Sequence, residues 1–344
     1  MDAGDLQALL QLQRSPARAR HQAMHASSLA QALLSLPAID LDQRELSRCI
    51  NWLQQPQHHL VHWYDANYPE ALRYIQSPPP LLFVHGNLAL LEQPQVALVG
   101  SRNASAVGQH SAAHFAAALA SAGLVVSSGL ASGIDAAAHR AALQHGNTLA
   151  VLGTGPDCYY PPRNRQLQQQ IAQAGALITE FTPGTRARAD HFPRRNRILS
   201  GLSQGVLIIE AKRQSGSLNT ARLAIEQNKR LWALPGSIWD VGMAGCLQLL
   251  QNGAHMVTNV SDIIDDLGLS IATSAATSET QNKSAECLAN PLLLDNVGTE
   301  VTALDTIVAR SGLPVAIVAE QLVLLELAGV VTSVAGGYIK MGRR

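Results

Sequence analysis

Paired cysteines, long apolar runs and a surplus of charge are all missing from this chain of 344 residues. Its four cysteines lie far apart, with no C-x-x-C spacing, which argues against a disulfide framework and a zinc site. No apolar run approaches the roughly 20 residues of a membrane-spanning helix, and the acidic start of the chain is unlike a secretory signal. We therefore expect a reduced, cytoplasmic protein that has no membrane span, no metal site and no cofactor.

The charge balance and the aromatic content restrict the kind of nucleic-acid binding that is possible. The 25 basic and 25 acidic residues cancel, whereas a protein that binds duplexes regardless of sequence is usually basic overall. A local stripe can still hold phosphates, and residues 185–197 (TRARADHFPRRNR) carry five arginines against one aspartate. A solvated face is the commoner reason for such a run. Aromatic residues make up only 4% of the chain, which argues against a long platform for stacking bases.

The length of the chain predicts two or three domains. Residues 1–65 carry apolar residues at helical spacing and predict a small helical, SAM-like domain. A proline-rich stretch, SPPPLLFVHGNL, lies near the start of a second predicted domain, residues 66–268. Residues 269–289 are rich in Ser, Thr and Ala and predict a linker, and residues 290–344 predict a third domain.

The central domain alternates apolar runs, typical of buried strands, with helical segments that often end in glycine. The apolar runs are VALVG, LVVSSG, TLAVLG, ALITEF, VLIIEA and RLWALPG. This alternation predicts an α/β fold in which helices cover both faces of a parallel sheet. Ligands of such sheets bind beyond the carboxyl ends of the strands, so the turns at those ends are the candidate site.

Glycine-rich or cationic turns follow successive strands of this pattern. Their candidate ligand-binding residues are Gly100, Ser101, Arg102, Ser128, Gly129, Ser132, Gly133, Arg163, Asn164, Lys212, Ser215, Gly216 and Ser217. Glycines free backbone N–H groups to point outward, and helix starts add the positive end of a dipole. One dinucleotide needs one such turn, so a row of turns predicts an extended track for phosphates. For each turn taken alone, tight packing is the alternative interpretation.

Motifs for catalysis are missing from the sequence. Neither the nucleophile elbow G-x-S-x-G nor the Walker pattern G-x-x-x-x-G-K-[ST] occurs. Glu180 and Glu210 end two strands and could act as an acid in a nucleotide-processing hydrolase, but pairing with nearby arginines is the simpler interpretation. Asp135 stands where a helix cap is expected. A binding protein is favoured, and the hydrolase remains the alternative.

The last predicted domain combines two helical segments with a hairpin, VVTSVAGGYIKM, which bends at Gly336 and Gly337. This pattern is typical of a winged helix. Its second helix, within LPVAIVAEQLVLLELAGV, carries no Arg or Lys to face phosphates. We therefore favour a partner-binding or structural role for this domain over DNA reading. An oligomeric scaffold that recruits partner proteins through the tail is a third interpretation of the whole chain.

Six ordered motifs resemble those of DNA processing protein A, the DprA/Smf family. They are VALVGSRNAS, SSGLASGIDAAAH, AVLGTGPDCYYPPRN, FPRRNRILSGLSQGVLIIEA, SGSLNTARLAIEQ and ALPGS, within a continuous likeness over residues 68–268. The resemblance implies an extended Rossmann-like domain, an N-terminal helical domain and a C-terminal winged-helix-like domain. It further implies a homodimer that binds single-stranded DNA and delivers it to the RecA recombinase in natural transformation, without catalysis.

The resemblance also implies which residues contact the phosphates. They lie in the GSR turn, in the SGLASGID loop, in the SGS turn after Lys212, and at Phe192, Arg194, Arg195, Asn196 and Arg197 of the FPRRNR segment. Phe192 is the best candidate for contacting a base, followed by Tyr159 and Tyr160. Binding is then expected to be mostly electrostatic, weakly dependent on sequence and sensitive to salt. Dimer contacts are implied around residues 246–267.

Overall fold

The structure, a computed structural model, describes residues 3–37, 39–40, 42–146, 148–269, 291–327 and 329–341. The chain divides into two compact units, Met1–Ile271 and Ala272–Arg344. The N-terminal helices therefore belong to the same unit as the central sheet. Apart from Leu269, the predicted linker lies outside the described residues. The domain boundaries at residues 65 and 289 stay predictions.

Four helices begin the first unit: α1 (Ala3–Arg14), α2 (Ala17–Met24), α3 (Leu29–Leu34) and α4 (Gln43–Leu53). The side chain of Asp42 caps α4 by accepting from a backbone N–H of its first turn. Leu46, Cys49 and Trp52 follow at helical spacing, and all three are buried in one cluster with Phe83. This apolar face holds the N-terminal helices against the sheet.

The sheet of the first unit has nine strands: β1 (His58–His62), β2 (Leu81–Gly86), β3 (Gln95–Val99), β4 (Val125–Ser128), β5 (Thr148–Val151), β6 (Ala176–Thr179), β7 (Gly205–Ile208), β8 (Arg230–Ala233) and β9 (His255–Met256). Their spatial order is β1-β2-β6-β5-β4-β3-β7-β8-β9. The last seven strands in this order are parallel, which confirms the predicted parallel sheet. β2 is antiparallel to both β1 and β6, an extension that the alternation did not predict.

Seven α-helices lie between these strands along the chain: α5 (Glu70–Arg73), α6 (Ala106–Ser121), α7 (Ile134–Leu143), α8 (Arg165–Ala174), α9 (His191–Leu202), α10 (Ser217–Glu226) and α11 (Ala244–Gln251), and α12 (Val260–Leu267) follows the last strand. The central strand β3 is buried on both faces. Val96 and Leu98 pack in the cluster with α6 and α12, whereas Ala97 and Val99 pack in the cluster with α9 and α10. Alternate residues of one strand thus join two cores, as the continuous apolar run requires.

The direction of strand addition reverses at β3. From β3 the chain adds β4, β5 and β6 on one side, and then returns to add β7, β8 and β9 on the other side. At such a reversal the turns that follow the two flanking strands diverge and leave a crevice at the carboxyl ends, where α/β sheets bind their ligands. The fold therefore places the candidate site beyond the ends of β3, β4 and β7.

The second unit contains α13 (Pro291–Leu294), α14 (Leu304–Ser311), α15 (Val315–Leu327), β10 (Val331–Val334) and β11 (Gly337–Lys340). The two strands form an antiparallel hairpin, and Gly336 adopts a positive φ of 96° at its bend. Ile307, Val318 and Leu322 form its buried core with other apolar residues. Among the described residues, no single helix is long and apolar enough to cross a membrane, although α14 and α15, bent by 110°, reach that length and composition together.

Candidate nucleic-acid interface

The turns after β3, β4 and β7 lock together at the point where the strand order reverses. The N–H of Ser101 donates to the carbonyl of Glu210 at 2.7 Å, and the carbonyl of Ser101 accepts from the N–H of Ile134 at 3.2 Å. A Cβ on Gly100 would lie 2.5 Å from the Ile134 side chain, and one on Gly133 would lie 2.2 Å from the Ser101 carbonyl. These two glycines therefore permit the close approach that brings the turns side by side.

An open groove of about 660 Å³ crosses the strand ends, and we call it the rim groove. A pocket of about 300 Å³ shares Arg102, Tyr160 and Phe192 with it. Helices α9 and α10 begin at the groove, because Phe192 and Ser217 stand in both the first turn and the groove wall. The positive ends of two helix dipoles therefore border this surface, which favours a negatively charged ligand.

Arg102, Arg163 and Lys212 are exposed cations of the rim groove and its pocket. The Nε of Arg163 donates to the hydroxyl of Ser132 at 2.7 Å, which positions its guanidinium. Within the described ranges, none of these three cations forms an ion pair. Of the described residues that line the groove, only Asp135 carries a carboxylate, and it is buried. The surface therefore offers positive charge that has no internal partner.

Phe192 is the aromatic centre of the interface. Its ring lies 5.2 Å from the ring of Tyr160, and the guanidinium carbon of Arg102 lies 5.4 Å from its centroid. Gly153 makes room for it, since a Cβ there would lie 2.9 Å from the ring. Phe192 is only half-buried, so part of the ring remains available to a ligand beside a cation.

Arg195 lies at the floor of the groove, with only 4% of its surface exposed. Its guanidinium donates to the carbonyls of Gly129, at 2.7 Å, and Val151. Burial lowers the pKa of Arg195 to about 10, and the nearby Asp135 carboxylate opposes that change, so the side chain stays charged at neutral pH. Burial raises the pKa of Asp135, opposed chiefly by Arg195. This pair holds the floor of the groove.

Asp135 is not the N-cap of α7, so that prediction is wrong. Gly133 occupies the N-cap position, and Asp135 lies in the first turn. Its carboxylate accepts from the N–H groups of Gly129 and Ala131, each at 3.2 Å. The side chain thus folds back to brace the loop after β4, because the buried Arg195 lies on that side.

Arg194 and Arg197 face away from the rim groove. Both donate to the same oxygen of Glu180, at 2.9 Å and 2.6 Å, and Glu180 is 1% exposed. The interpretation of Glu180 as an arginine partner therefore agrees with the structure. For Glu210 the same interpretation is wrong, because its carboxylate accepts from the N–H and the hydroxyl of Ser105 at the start of α6.

The structure brings together most of the candidate residues, and it places others outside the interface. Those that line the rim groove or its pocket are Gly100, Ser101, Arg102, Gly129, Ser132, Arg163, Phe192, Arg195, Asn196, Lys212, Ser215, Gly216 and Ser217. Ser128 does not reach the surface, since it is 0% exposed and its hydroxyl donates to the Leu98 carbonyl. Asn164 is also buried and donates to the carbonyl of Leu130 at 2.9 Å. Gly133, Arg194 and Arg197 complete the set that lies outside.

The sequence pattern did not single out Asn103, Gly153 or Arg188, all of which line the rim groove or its pocket. Asn103 directly follows the GSR turn, and Gly153 begins the GTG turn after β5. Arg188 belongs to the arginine-rich run but pairs with Asp190 at 3.2 Å. Asn103 and Gly153 could have been predicted from their positions just after strand ends. Nothing in the local sequence distinguished Arg188 from the neighbouring arginines.

Comparison with known proteins adds an independent finding. The family described as DNA recombination-mediator protein A matches residues 59–268, which is more than half of the chain. The chain belongs to this family. The DprA winged helix domain matches residues 279–337, in agreement with α14, α15 and the hairpin of the second unit. The α/β sheet domain and the winged helix of the family are therefore both present.

Curated relatives extend the likeness over most of the chain. Protein Smf of Escherichia coli is 42% identical over 320 residues, which cover 91% of this chain and 84% of that protein. DNA processing protein DprA of Streptococcus pneumoniae is 47% identical over 201 residues, which cover 58% of this chain and 71% of that protein.

Two solved structures of family members share the fold. DNA processing protein A from Streptococcus pneumoniae has a TM-score of 0.66 at 35% identity, covering 77% of this chain and 98% of that one. The protein from Helicobacter pylori, studied for its single-stranded DNA binding mode, has a TM-score of 0.57 at 31% identity. That match covers 61% of this chain and 95% of that one.

Proposed function

We propose that this protein binds single-stranded DNA along the rim groove and acts as a recombination mediator. The observation that carries the proposal is the set of three exposed cations, Arg102, Arg163 and Lys212, that pair with no described carboxylate and lie around the half-buried ring of Phe192. Proteins that hold single strands combine a positive groove along the backbone with aromatic faces for unpaired bases. The single-stranded DNA binding of the Helicobacter pylori relative supports the same assignment.

The shape of the site favours a single strand over a duplex. The ring of Phe192 stands beside a pocket of about 300 Å³ rather than on a flat surface. A base can enter such a pocket only when it is neither stacked nor paired in a helix. The winged-helix unit adds little for a duplex, because α15 carries no Arg or Lys that could face phosphates.

A binding role is favoured over the hydrolase alternative. Glu180 is held by two arginines, and Glu210 is held by Ser105, so both carboxylates are engaged in structural contacts. Both are also buried, at 1% and 4% exposure, and neither lines the rim groove. A general acid must come within hydrogen-bond reach of its substrate. Incubation with nucleoside monophosphates tests this directly, since release of free base would establish the hydrolase instead.

Family membership supports finer proposals about partners and setting. We propose that the bound strand is delivered to the RecA recombinase in the cytoplasm during natural transformation. We also propose a homodimer through residues 246–267, where Met256 on the edge strand β9 is 61% exposed. Sedimentation of the full chain and of Met256→Glu tests the dimer, and a monomeric parent at micromolar concentration would contradict it. RecA loading is tested by recombinase filament assembly on coated single strands.

Arg102→Ala is the first test of the interface. Loss of one charge-assisted contact is expected to weaken binding to oligo-dT by about 1–3 kcal/mol at moderate salt. The slope of log affinity against log salt should also fall by about 0.7, the contribution of one phosphate on a single strand. Arg140→Ala is the matched control, because Arg140 is an exposed arginine on α7 outside the groove. A shift assay with single and double strands over a salt series measures both quantities.

If folded Arg102→Ala binds as tightly as Arg140→Ala, the rim groove is not the DNA site.

A further inference from the structure

A second basic cavity lies on the side of α9 that faces the N-terminal helices, and we call it the junction pocket. It has a volume of about 610 Å³ and opens to solvent. The side chains that matter here are Arg14, Arg20, Glu45, Glu180, Arg194 and Arg197. Arg194 and Arg197 were expected in the DNA site, and this pocket is where the structure places them. All of these residues belong to the first unit.

The charges that line the junction pocket do not balance. Arg194 and Arg197 share the single carboxylate of Glu180, and Arg14 pairs with Glu45. Arg20 donates only to a backbone carbonyl, that of Gln13 at 3.2 Å, and forms no ion pair with any described residue. Four guanidinium groups therefore face two carboxylates, which leaves two positive charges uncompensated.

Two buried polar atoms of residues that line the pocket lack hydrogen-bond partners among the described residues. They are Nη1 of Arg197, which is a donor, and Oε1 of Glu180, which is an acceptor. Buried polar atoms are normally paired, and each unpaired one destabilises its surroundings. Burial, and then the nearby charge of Arg194, lower the pKa of Arg20, so the cations are held close enough to repel one another. An anion in the pocket would relieve that repulsion.

We propose that the junction pocket binds a phosphate monoester, such as the terminal phosphate of a DNA strand or of a mononucleotide. A monoester carries about −1.5 to −2 charges at neutral pH, which matches the two uncompensated cations, whereas an internal phosphodiester carries only one. Its oxygens can accept from the guanidinium groups of Arg20 and Arg194, which line the pocket.

The strand-end version of this proposal rests on the proposed function, whereas the mononucleotide version does not. Arg20→Ala is the test variant, because Arg20 is half-buried and makes no ion pair whose loss would disturb the fold. Arg18→Ala is the matched control, since Arg18 is an exposed arginine on the same helix that does not line the pocket. Thermal unfolding without ligand verifies that both variants fold like the parent.

Two measurements separate the two sources of phosphate. The first compares the affinities for a 3′-labelled oligo-dT with and without a 5′-phosphate, at a length of roughly 20 nucleotides, longer than the usual single-strand site. The second follows thermal unfolding in the presence of thymidine monophosphate, which stabilises any protein that binds it. We expect a preference of about tenfold for the phosphorylated strand in the parent and in Arg18→Ala, and its loss in Arg20→Ala.

Stabilisation by thymidine monophosphate that Arg20→Ala abolishes, without any strand preference, supports a mononucleotide as the ligand instead. The phosphate site is refuted if the parent shows neither the preference for the phosphorylated strand nor the stabilisation by thymidine monophosphate. It is also refuted if Arg20→Ala retains the effect that the parent shows. Arg102→Ala serves as the reference for the rim groove. It should weaken both oligonucleotides equally and leave their ratio unchanged, so failure of the junction pocket and failure of the rim groove give different results.

Discussion

Gly129→Ala is expected to unlock the floor of the rim groove. A Cβ at this position would lie 2.4–2.6 Å from the Nη2, Nη1 and Cζ atoms of Arg195. Real Cβ contacts essentially never fall below 3.0 Å, so one group must move. Gly129 does not have a positive φ, and the added methyl therefore acts through this contact alone.

The size of the effect follows from what holds Arg195. Its guanidinium is fixed by the carbonyls of Gly129 and Val151 and lies beside the buried carboxylate of Asp135. Displacing it breaks two hydrogen bonds that a buried, charged group donates, at about 1.5–3 kcal/mol each, and moves the cation away from the Asp135 carboxylate. That is a large part of the 5–15 kcal/mol that is typical for a folded protein.

Urea unfolding measures this loss. At a slope of about 3 kcal/mol per M, the midpoint should fall by more than about 1 M. Gly216→Ala is the matched control, because a Cβ there meets nothing within 4 Å, and its stability should stay within about 1 kcal/mol of the parent. Adding Gly129→Ala to Arg195→Ala should cost almost nothing further, since the clashing group is gone. An unchanged midpoint for Gly129→Ala, or full additivity with Arg195→Ala, would refute this reasoning.

Two further predictions concern acid stability and base contact. Burial lowers the pKa of His139 to about 3, below its unfolded value of about 6.5, so protonation favours the unfolded chain. Stability should therefore fall with pH below about 6.5, by about 2–3 kcal/mol from this group at pH 4.5, and His139→Gln should flatten that part of a urea-midpoint profile. Phe192→Leu should weaken binding to oligo-dT by about 1–3 kcal/mol while leaving the salt slope unchanged, because a ring contact releases no counterions. A slope that changes as much as that of Arg102→Ala would contradict a base-stacking role.

The arginine-rich segment shows where sequence reasoning stopped. The composition of FPRRNR predicted a phosphate-binding stretch, but the segment is the first turn and a half of α9. Successive residues of a helix are turned by about 100°, so Arg194 and Arg197 share one face, while Phe192 and Arg195 share another. Local composition could not assign these faces, because they depend on Glu180, which ends a different strand.

The alternation of apolar runs with helical segments was sufficient to predict the parallel sheet, because strands that are buried on both faces are apolar throughout. The strand His58–His62 was not predicted, because it carries three histidines and lies at the edge of the described sheet, next to β2. The rim turns were predicted from strand ends alone, and Gly100, Arg102 and Lys212 do line the groove. The junction pocket could not be predicted from the sequence, because Arg20 and Arg194 are far apart in the chain and come together only when α2 packs near α9.

The pairing of β1 with β2 has a practical consequence for anyone who shortens this protein. The domain boundary predicted from the sequence suggests a cut near residue 66. Such a cut would remove β1 together with the N-terminal helices α1 to α4. Leu81 and Phe83, now 0% exposed, would then face water, and the β2 backbone would lose its outer hydrogen-bonding neighbour. A bare apolar border of this kind recruits strands from other molecules. Insoluble aggregates from such a fragment would report the missing β1 and N-terminal helices rather than a failure of the central sheet to fold.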